Sequence, residues 1–340
     1  MAAATIRVGT ASWTDHDPFY PPEYNKASLK SQRISYYARF FSLVEVDSTF
    51  YHLQPAHNFQ IWAERTPDDF VFDVKAYGEL TWHHRDDAGD MITPAADTFA
   101  RFSEMIQPMR DAGKLGALLF QFPPWYTYDP DRLDYFATVR EMLPHDTVAV
   151  EFRHRSWLEA PHADETRAAL QDARLAYCTV DEPQIGSGSV PPVVMLTDPS
   201  FAMVRFHGRN TRAWYGKNLA SSRDRFDYLY TRDELEPWAD RVQRIAERLG
   251  QGQVHVVTNN NASTRVYRSP TELAASHDHM ADLPSALWPA VPQSEAVLNA
   301  LMLQSLLGQP IGKGEPLPEA VDQTFLAAAL QPATDSPTAP

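Results

Sequence analysis

The chain has 340 residues, 44% of them hydrophobic, and a formal net charge of −14. That apolar share supports a large core, no apolar run approaches the ~20 residues of a membrane span, and the acidic balance opposes non-specific binding to nucleic acid or anionic membranes. The single cysteine, Cys178, reads as a small buried apolar residue in a reducing compartment, and Met1-Ala2-Ala3-Ala4-Thr5 lacks the basic and apolar parts of a secretory signal. A cytoplasmic location is expected.

Short apolar runs recur in order at Ile6–Trp13, Leu43–Tyr51, Phe70–Tyr77, Gly116–Pro123, Thr147–Trp157, Leu175–Glu182, Phe201–Gly208 and Gln253–Ala262. Helix-like stretches separate most of them. The first spans about Ser28 to Phe41, with Ile34, Tyr37, Ala38 and Phe41 on one face. A second covers about Asn58 to Arg65 and stops before Thr66-Pro67. Thr93-Pro94 and Asp129-Pro130 start the third and fourth, with proline tolerated in the first turn. Ser156 to Ala173 is the fifth and Thr231 to Leu249 the seventh, with Gly250 as its stop. Between runs six and seven, Gln184 to Pro192 is rich in Gly, Ser and Pro, so the sixth helix is short or missing. Asn299 to Leu307 closes the series.

Strands alternating with helices in this count predict a single parallel (β/α)₈ barrel over residues 1–310. Residues 311–340 read as a C-terminal extension whose last dozen residues lack the apolar content to order.

Barrels of this type carry their active sites at the C-terminal strand ends. Here those ends hold Asp47, Lys75, Gln121, Glu151, Arg153, Asp181, Arg205, His207 and Asn259. Side chains two apart share a strand face. Val44-Glu45-Val46-Asp47, Phe72-Asp73-Val74-Lys75, Val150-Glu151-Phe152-Arg153 and Val204-Arg205-Phe206-His207 therefore turn their charges toward the barrel axis. Burying an unpaired ion costs several kcal/mol, so these groups neutralise one another or meet a ligand. A structural ion-pair network is the alternative reading, and it weighs more at the deeper Glu45 and Asp73 than nearer the mouth. Nearer the mouth, Glu151, Asp181 and His207 are the candidate acid–base groups, and Lys75, Arg153 and Arg205 the candidate anion holders. Gln121, Asn259 and Asp47 complete the expected substrate contacts.

After the seventh strand, Gly208 to Lys217 holds Arg209, Arg212, Trp214 and Tyr215. Phosphate sites in such barrels often use this side, so Arg209, Trp214 and Tyr215 are expected to lie over an anionic group; a solvated surface loop is the duller account. Packing onto the rim is likewise the ordinary use of Trp13, Trp82, Trp125 and Trp157. No dinucleotide fingerprint or glycine-rich phosphate loop occurs, so no cofactor is expected. A divalent metal held by His207, Glu151 and Asp181 is the less favoured reading, because three cations lie nearby.

Gly9-Thr10-Ala11-Ser12-Trp13 followed by Glu45-Val46-Asp47-Ser48-Thr49-Phe50-Tyr51 resembles the opening of the YecE-like family, also called domain of unknown function 72. The resemblance continues through Phe72-Asp73-Val74-Lys75-Ala76, Leu119-Phe120-Gln121-Phe122-Pro123-Pro124, Val150-Glu151-Phe152-Arg153-His154-Arg155-Ser156-Trp157, Arg205-Phe206-His207-Gly208 and Asn259-Asn260. It covers roughly residues 5–265 and implies a barrel without supplying a reaction. Ala11 and Thr258 depart from the family pattern beside the expected site and are expected to alter substrate fit; the loop after strand seven is also long for the family.

The expected function is acid–base chemistry, hydrolysis or isomerisation, on a small anionic substrate that is phosphorylated or nucleotide-like. The alternative is a non-catalytic or nucleic-acid-repair-associated binding protein whose mouth aromatics and arginines hold an exposed base. A purely structural interaction protein is the third reading; the sequence identifies no protein partner.

Overall fold

Residues 4–186, 189–216, 219, 222–261 and 294–311 are described by the structure, a computed structural model. Its strands are β1 Thr5–Ala11, β2 Leu43–Val46, β3 Val71–Lys75, β4 Leu115–Gln121, β5 Thr147–Glu151, β6 Ala176–Asp181, β7 Phe201–Phe206 and β8 Gln253–Thr258. They pair in parallel and in sequence order, and β8 returns to β1 to close the barrel. The chain is a single α/β barrel of the expected kind.

Alternation along the strands divides the core. Ala11, Leu43, Val71 and Val257 pack inside the barrel, as do Ala117, Leu119, Ala149, Ala176, Cys178, Val180 and Met203. Val44, Val46, Phe72, Leu118, Phe120, Val150, Val204 and Val256 face outward into the layer shared with the helices. Gly9 is needed where β1 meets β2, since a Cβ there would lie 2.0 Å from the Leu43 carbonyl oxygen.

The helices are α1 Arg33–Tyr37, α2 Ala56–Glu64, α3 Ala96–Asp111, α4 Asp134–Met142, α5 His162–Asp172, α6 Arg232–Leu249 and a closing helix, Glu295–Leu306. The first is much shorter than its pattern predicts. Residues 28–32 are mostly exposed and offer no apolar face, so they form only a 3₁₀ turn over Lys30–Gln32. The fifth divides into a 3₁₀ turn at Arg155–Trp157 and α5, because Pro161 has no N–H to continue a helix across it. The third starts at Ala96, just beyond Thr93-Pro94, and the fourth begins as a 3₁₀ turn capped by Asp129. α6 carries a reciprocal cap: Thr231 Oγ1 accepts from Glu234 N at 3.3 Å, and Glu234 Oε2 accepts from Thr231 N at 2.9 Å. Gly250, at φ 67°, ends it. No helix lies between β6 and β7 among the described residues. The C-terminal extension from 312 onward, Lys217 and residues 262–293 lie outside them.

Candidate active site

The inward charges stack in layers. Deepest is Asp73, whose carboxylate accepts from His255 Nδ1 at 2.9 Å and from Ala117 N at 2.7 Å. Above it Arg205, 1% exposed, donates through Nε and Nη2 to Glu45 at 2.8 and 2.7 Å and through Nη1 to Glu151 Oε2 at 2.5 Å. One guanidinium thus serves two buried carboxylates, a geometry its planar fork suits. Burial pushes Glu45 up while Arg205 pulls against it. Burial would also raise Glu151, but Arg205, His207 and Arg153 outweigh it and hold that carboxyl well below the usual range.

His207 completes this layer. Its Nε2 lies 3.0 Å from Glu151 Oε1 and its Nδ1 3.0 Å from Asn259 Nδ2. Burial drives its pKa down to about 3 against the pull of Glu151. The imidazole is therefore neutral, with the proton on Nε2 donated to Glu151 and Nδ1 accepting from the Asn259 amide. Asn261 Nδ2 fixes the amide orientation by donating to Asn259 Oδ1 at 3.5 Å and to the Ala11 carbonyl at 2.9 Å. Glu151 accepts from Arg205, His207 and Arg153 together, so it is a permanent anion and an anchor rather than a proton carrier.

The free valences lie in the next layer up. Arg153 Nη1 is 3.0 Å from Glu151 Oε1 and 3.4 Å from Glu182 Oε2. Glu182, one residue beyond β6, accepts from Val190 N through Oε1 at 2.8 Å, while its buried Oε2 has no hydrogen-bond partner among the described residues. Burial, only partly offset by Arg153, raises it to about 7. Lys75 lies opposite, its Nζ 4.6 Å from the Phe50 ring centroid. Burial and the Arg205 charge push it below the usual ammonium value. Asp47 stands beside it, raised by burial and by Asp15. Gln121, paired in register with Glu151, turns to the same face. Trp214 is buried above this layer, with the Arg153 guanidinium 5.0 Å from its ring centroid.

The expected site needs correction at Asp181, Arg209, Tyr215 and Thr258. Asp181 is not in the mouth. Alternation puts Cys178, Val180 and Glu182 inside and Asp181 outside, where it accepts from Arg209 at 2.8 and 2.7 Å, Tyr230 at 2.7 Å and Trp238 Nε1 on α6 at 2.9 Å. Arg209, tied to Asp181 and to Glu234 at 3.1 Å, is likewise turned away from the axis. Glu151, His207 and Asp181 therefore do not converge as a metal triad, and the described residues contain no group of three metal-ligating side chains. Tyr215 is 49% exposed, while Trp214 is buried with its ring against Arg153. Thr258 also faces outward, donating to Ala296 O at 2.8 Å. Glu182 belongs to the site although the sequence does not single it out, because the apolar Cys178 and Val180 suit either face of β6. His83, on the loop after β3, carried no such signal; burial and Lys75 lower it to about 3.

Residues 7–294 match the family described as "Protein of unknown function DUF72". The chain belongs to the DUF72 family. It is 34% identical over 261 residues to the UPF0759 protein YunF of Bacillus subtilis (strain 168), a match covering 76% of this chain and 89% of that protein. A DUF72 crystal structure from Thermotoga maritima MSB8 aligns with TM-score 0.67 and 27% identity over 90% of this chain and all of the other (100%). A second, from Enterococcus faecalis V583, aligns with TM-score 0.72 and 23% identity over 92% and 99%. The DUF72 likeness agrees with the closed barrel and, like it, names no substrate.

Proposed function

We propose that this DUF72 protein is an enzyme that moves protons on a small anionic substrate, phosphorylated or nucleotide-like, at the C-terminal mouth of its barrel. The observation that carries the reading is Glu182: a buried carboxyl oxygen without a donor, 3.4 Å from Arg153, titrating near neutral pH. A general acid or base works best with its pKa near the operating pH. Arg153 supplies the cation for the anion, Gln121 supplies a hydrogen bond, and Lys75 lies across the same layer. Hydrolysis or isomerisation both suit this set, it uses side chains alone, and we place it in the cytoplasm. Among the described residues no helix is long and apolar enough to cross a membrane.

The test is calorimetric titration with inorganic phosphate and nucleoside monophosphates on the wild type and on Glu182→Gln and Arg153→Met. Binding that Arg153→Met abolishes, with turnover that Glu182→Gln abolishes at preserved affinity, is the expected result. Equal behaviour of all three proteins would refute it. One observation favours the alternative of an exposed nucleic-acid base: Tyr51, Trp125 and Tyr215, which follow β2, β4 and β7, are 75%, 43% and 49% exposed on the rim. Binding of single-stranded oligonucleotide that falls steeply with salt would select that reading.

A further inference from the structure

The lysines of this chain are Lys26, Lys30, Lys75, Lys114, Lys217 and Lys313. Lys26 and Lys30 are exposed. Lys114 is buried and donates to Ala63 O at 2.6 Å, Thr66 O at 2.7 Å and Thr66 Oγ1 at 3.3 Å, as an enclosed ammonium must. Lys75 has no such set among the described residues. It is half-buried in the mouth, in contact with the Phe50 ring, against which His83 packs at 4.7 Å. The carboxylates that could pair with it are committed elsewhere: Glu45 to Arg205, and Glu151 to Arg205, His207 and Arg153. Asp47 is the exception. The β2–β3 register pairs Glu45 with Asp73 and Val46 with Val74; Asp47 follows just past the end of β2, near enough for its charge and that of Lys75 to act on each other, without a close ion pair between them.

We propose that Lys75 is a nucleophilic amine that forms an imine with the carbonyl carbon of a small aldehyde or ketone carrying an anionic group, Asp47 serving as the proton carrier. This deepens the acid–base reading by naming a substrate class, and rests on it for the anion contact at Arg153. The Nζ lone pair forms the N–C bond while the carbonyl π bond breaks onto oxygen, and a proton passes from nitrogen to oxygen to give the carbinolamine. Asp47 protonates the hydroxyl, which leaves as water as nitrogen forms the C=N bond. The remaining N–H proton returns to Asp47. Amine and carbonyl give imine and water, with no change of oxidation level.

Electrostatics favour both partners. The groups facing Lys75 are Glu45 and Asp47 from β2, Glu151 from β5, Arg205 from β7 and His83 beyond β3, and burial with Arg205 lowers the amine despite the carboxylates. Each unit of lowering raises the neutral fraction about tenfold near pH 7. Asp47, raised by burial, can hold the proton that it delivers.

The full-length protein is incubated at pH 7 with cyanoborohydride and dihydroxyacetone phosphate, pyruvate or uncharged dihydroxyacetone, and adducts are mapped by mass spectrometry. The expected result is labelling of Lys75 about tenfold or more above Lys26 and Lys30, greatest with an anionic carbonyl. Lys75→Arg should remove that adduct, and Asp47→Asn should slow it about a hundredfold. Phosphate and pyruvate are titrated in parallel without reductant. Anion binding with labelling confined to exposed lysines would overturn the imine and leave the acid–base reading standing. A Lys75 adduct without binding of any anion would support the amine and overturn the anionic substrate instead.

Discussion

Removing Asp181 should cost stability rather than site chemistry. Asp181→Ala deletes the side-chain acceptor of Tyr230 Oη at 2.7 Å, leaving it only the residue-181 carbonyl at 3.4 Å, and the acceptor of Trp238 Nε1 at 2.9 Å, both donors buried. A buried donor left without an acceptor costs about 1–3 kcal/mol. Arg209 is 36% exposed and keeps Glu234, so its share is discounted to about 1 kcal/mol or less. The expected loss is about 4 kcal/mol, read from urea unfolding followed by far-UV circular dichroism. Asp181→Asn should fall between, since its amide keeps one acceptor and turns a donor toward the others. The reasoning fails if Asp181→Ala unfolds within about 1 kcal/mol of the wild type but has lost phosphate binding. That pattern would return Asp181 to the mouth.

Further outcomes follow from the layer above and below. Glu182 binds a proton more readily folded than unfolded, so its contribution to stability is present below its ordinary value of 4.5 and lost as pH rises to about 7. Glu182→Gln should remove that slope, at most about 3 kcal/mol, from unfolding free energies measured across that range. His207 has the opposite sign: with a folded pKa near 3, its neutral form contributes stability above the unfolded value of 6.5 that is lost on acidification toward 3. Nitrogen-detected NMR at pH 6 should show its neutral Nε2–H tautomer, and an imidazolium there would contradict the Asn259 hydrogen bond. Arg205→Met should cost about 3–5 kcal/mol at pH 7 by stranding Glu45 and Glu151, and recover part of it at pH 5; equal loss at both pH values would show that the carboxylates are not what the substitution exposes.

How much of this was legible in the sequence depended on which face a residue took. The alternation in Val44-Glu45-Val46-Asp47 and Val204-Arg205-Phe206-His207 sufficed to turn those charges inward, because the apolar partners left only one side for the helices. At Thr179-Val180-Asp181-Glu182 two acids stand together, and the choice rests on Cys178 and Val180, apolar residues that also suit the helix side. The inner face there is itself apolar, so hydrophobicity does not decide between Asp181 and Glu182, and the structure turns Glu182 inward. Helix lengths erred for a related reason: Ser28–Gln32 has acceptable local propensity, but only a buried face would have held it as α-helix. The Lys75–Phe50–His83 contact joins a strand to its own following loop and to the loop after β2, a juxtaposition that no spacing encodes.

The grading of polar satisfaction up the barrel separates a site from a structural ion network. Asp73 and His255 satisfy each other at the bottom. Glu45, Arg205, Glu151, His207 and Asn259 form a chain in which every charge meets an opposite charge or a directed hydrogen bond. If the charges served only to hold the strands together, the next layer would end the same way, since an unmatched buried polar group costs free energy with no structural return. It does not. Glu182 Oε2 meets Arg153 at 3.4 Å but has no hydrogen-bond donor, Lys75 rests on an aromatic ring with Asp47 beside it and no close ion pair, and Trp214 covers Arg153. The saturated layer beneath holds these groups in fixed positions, so a ligand meeting them finds the orientation already established.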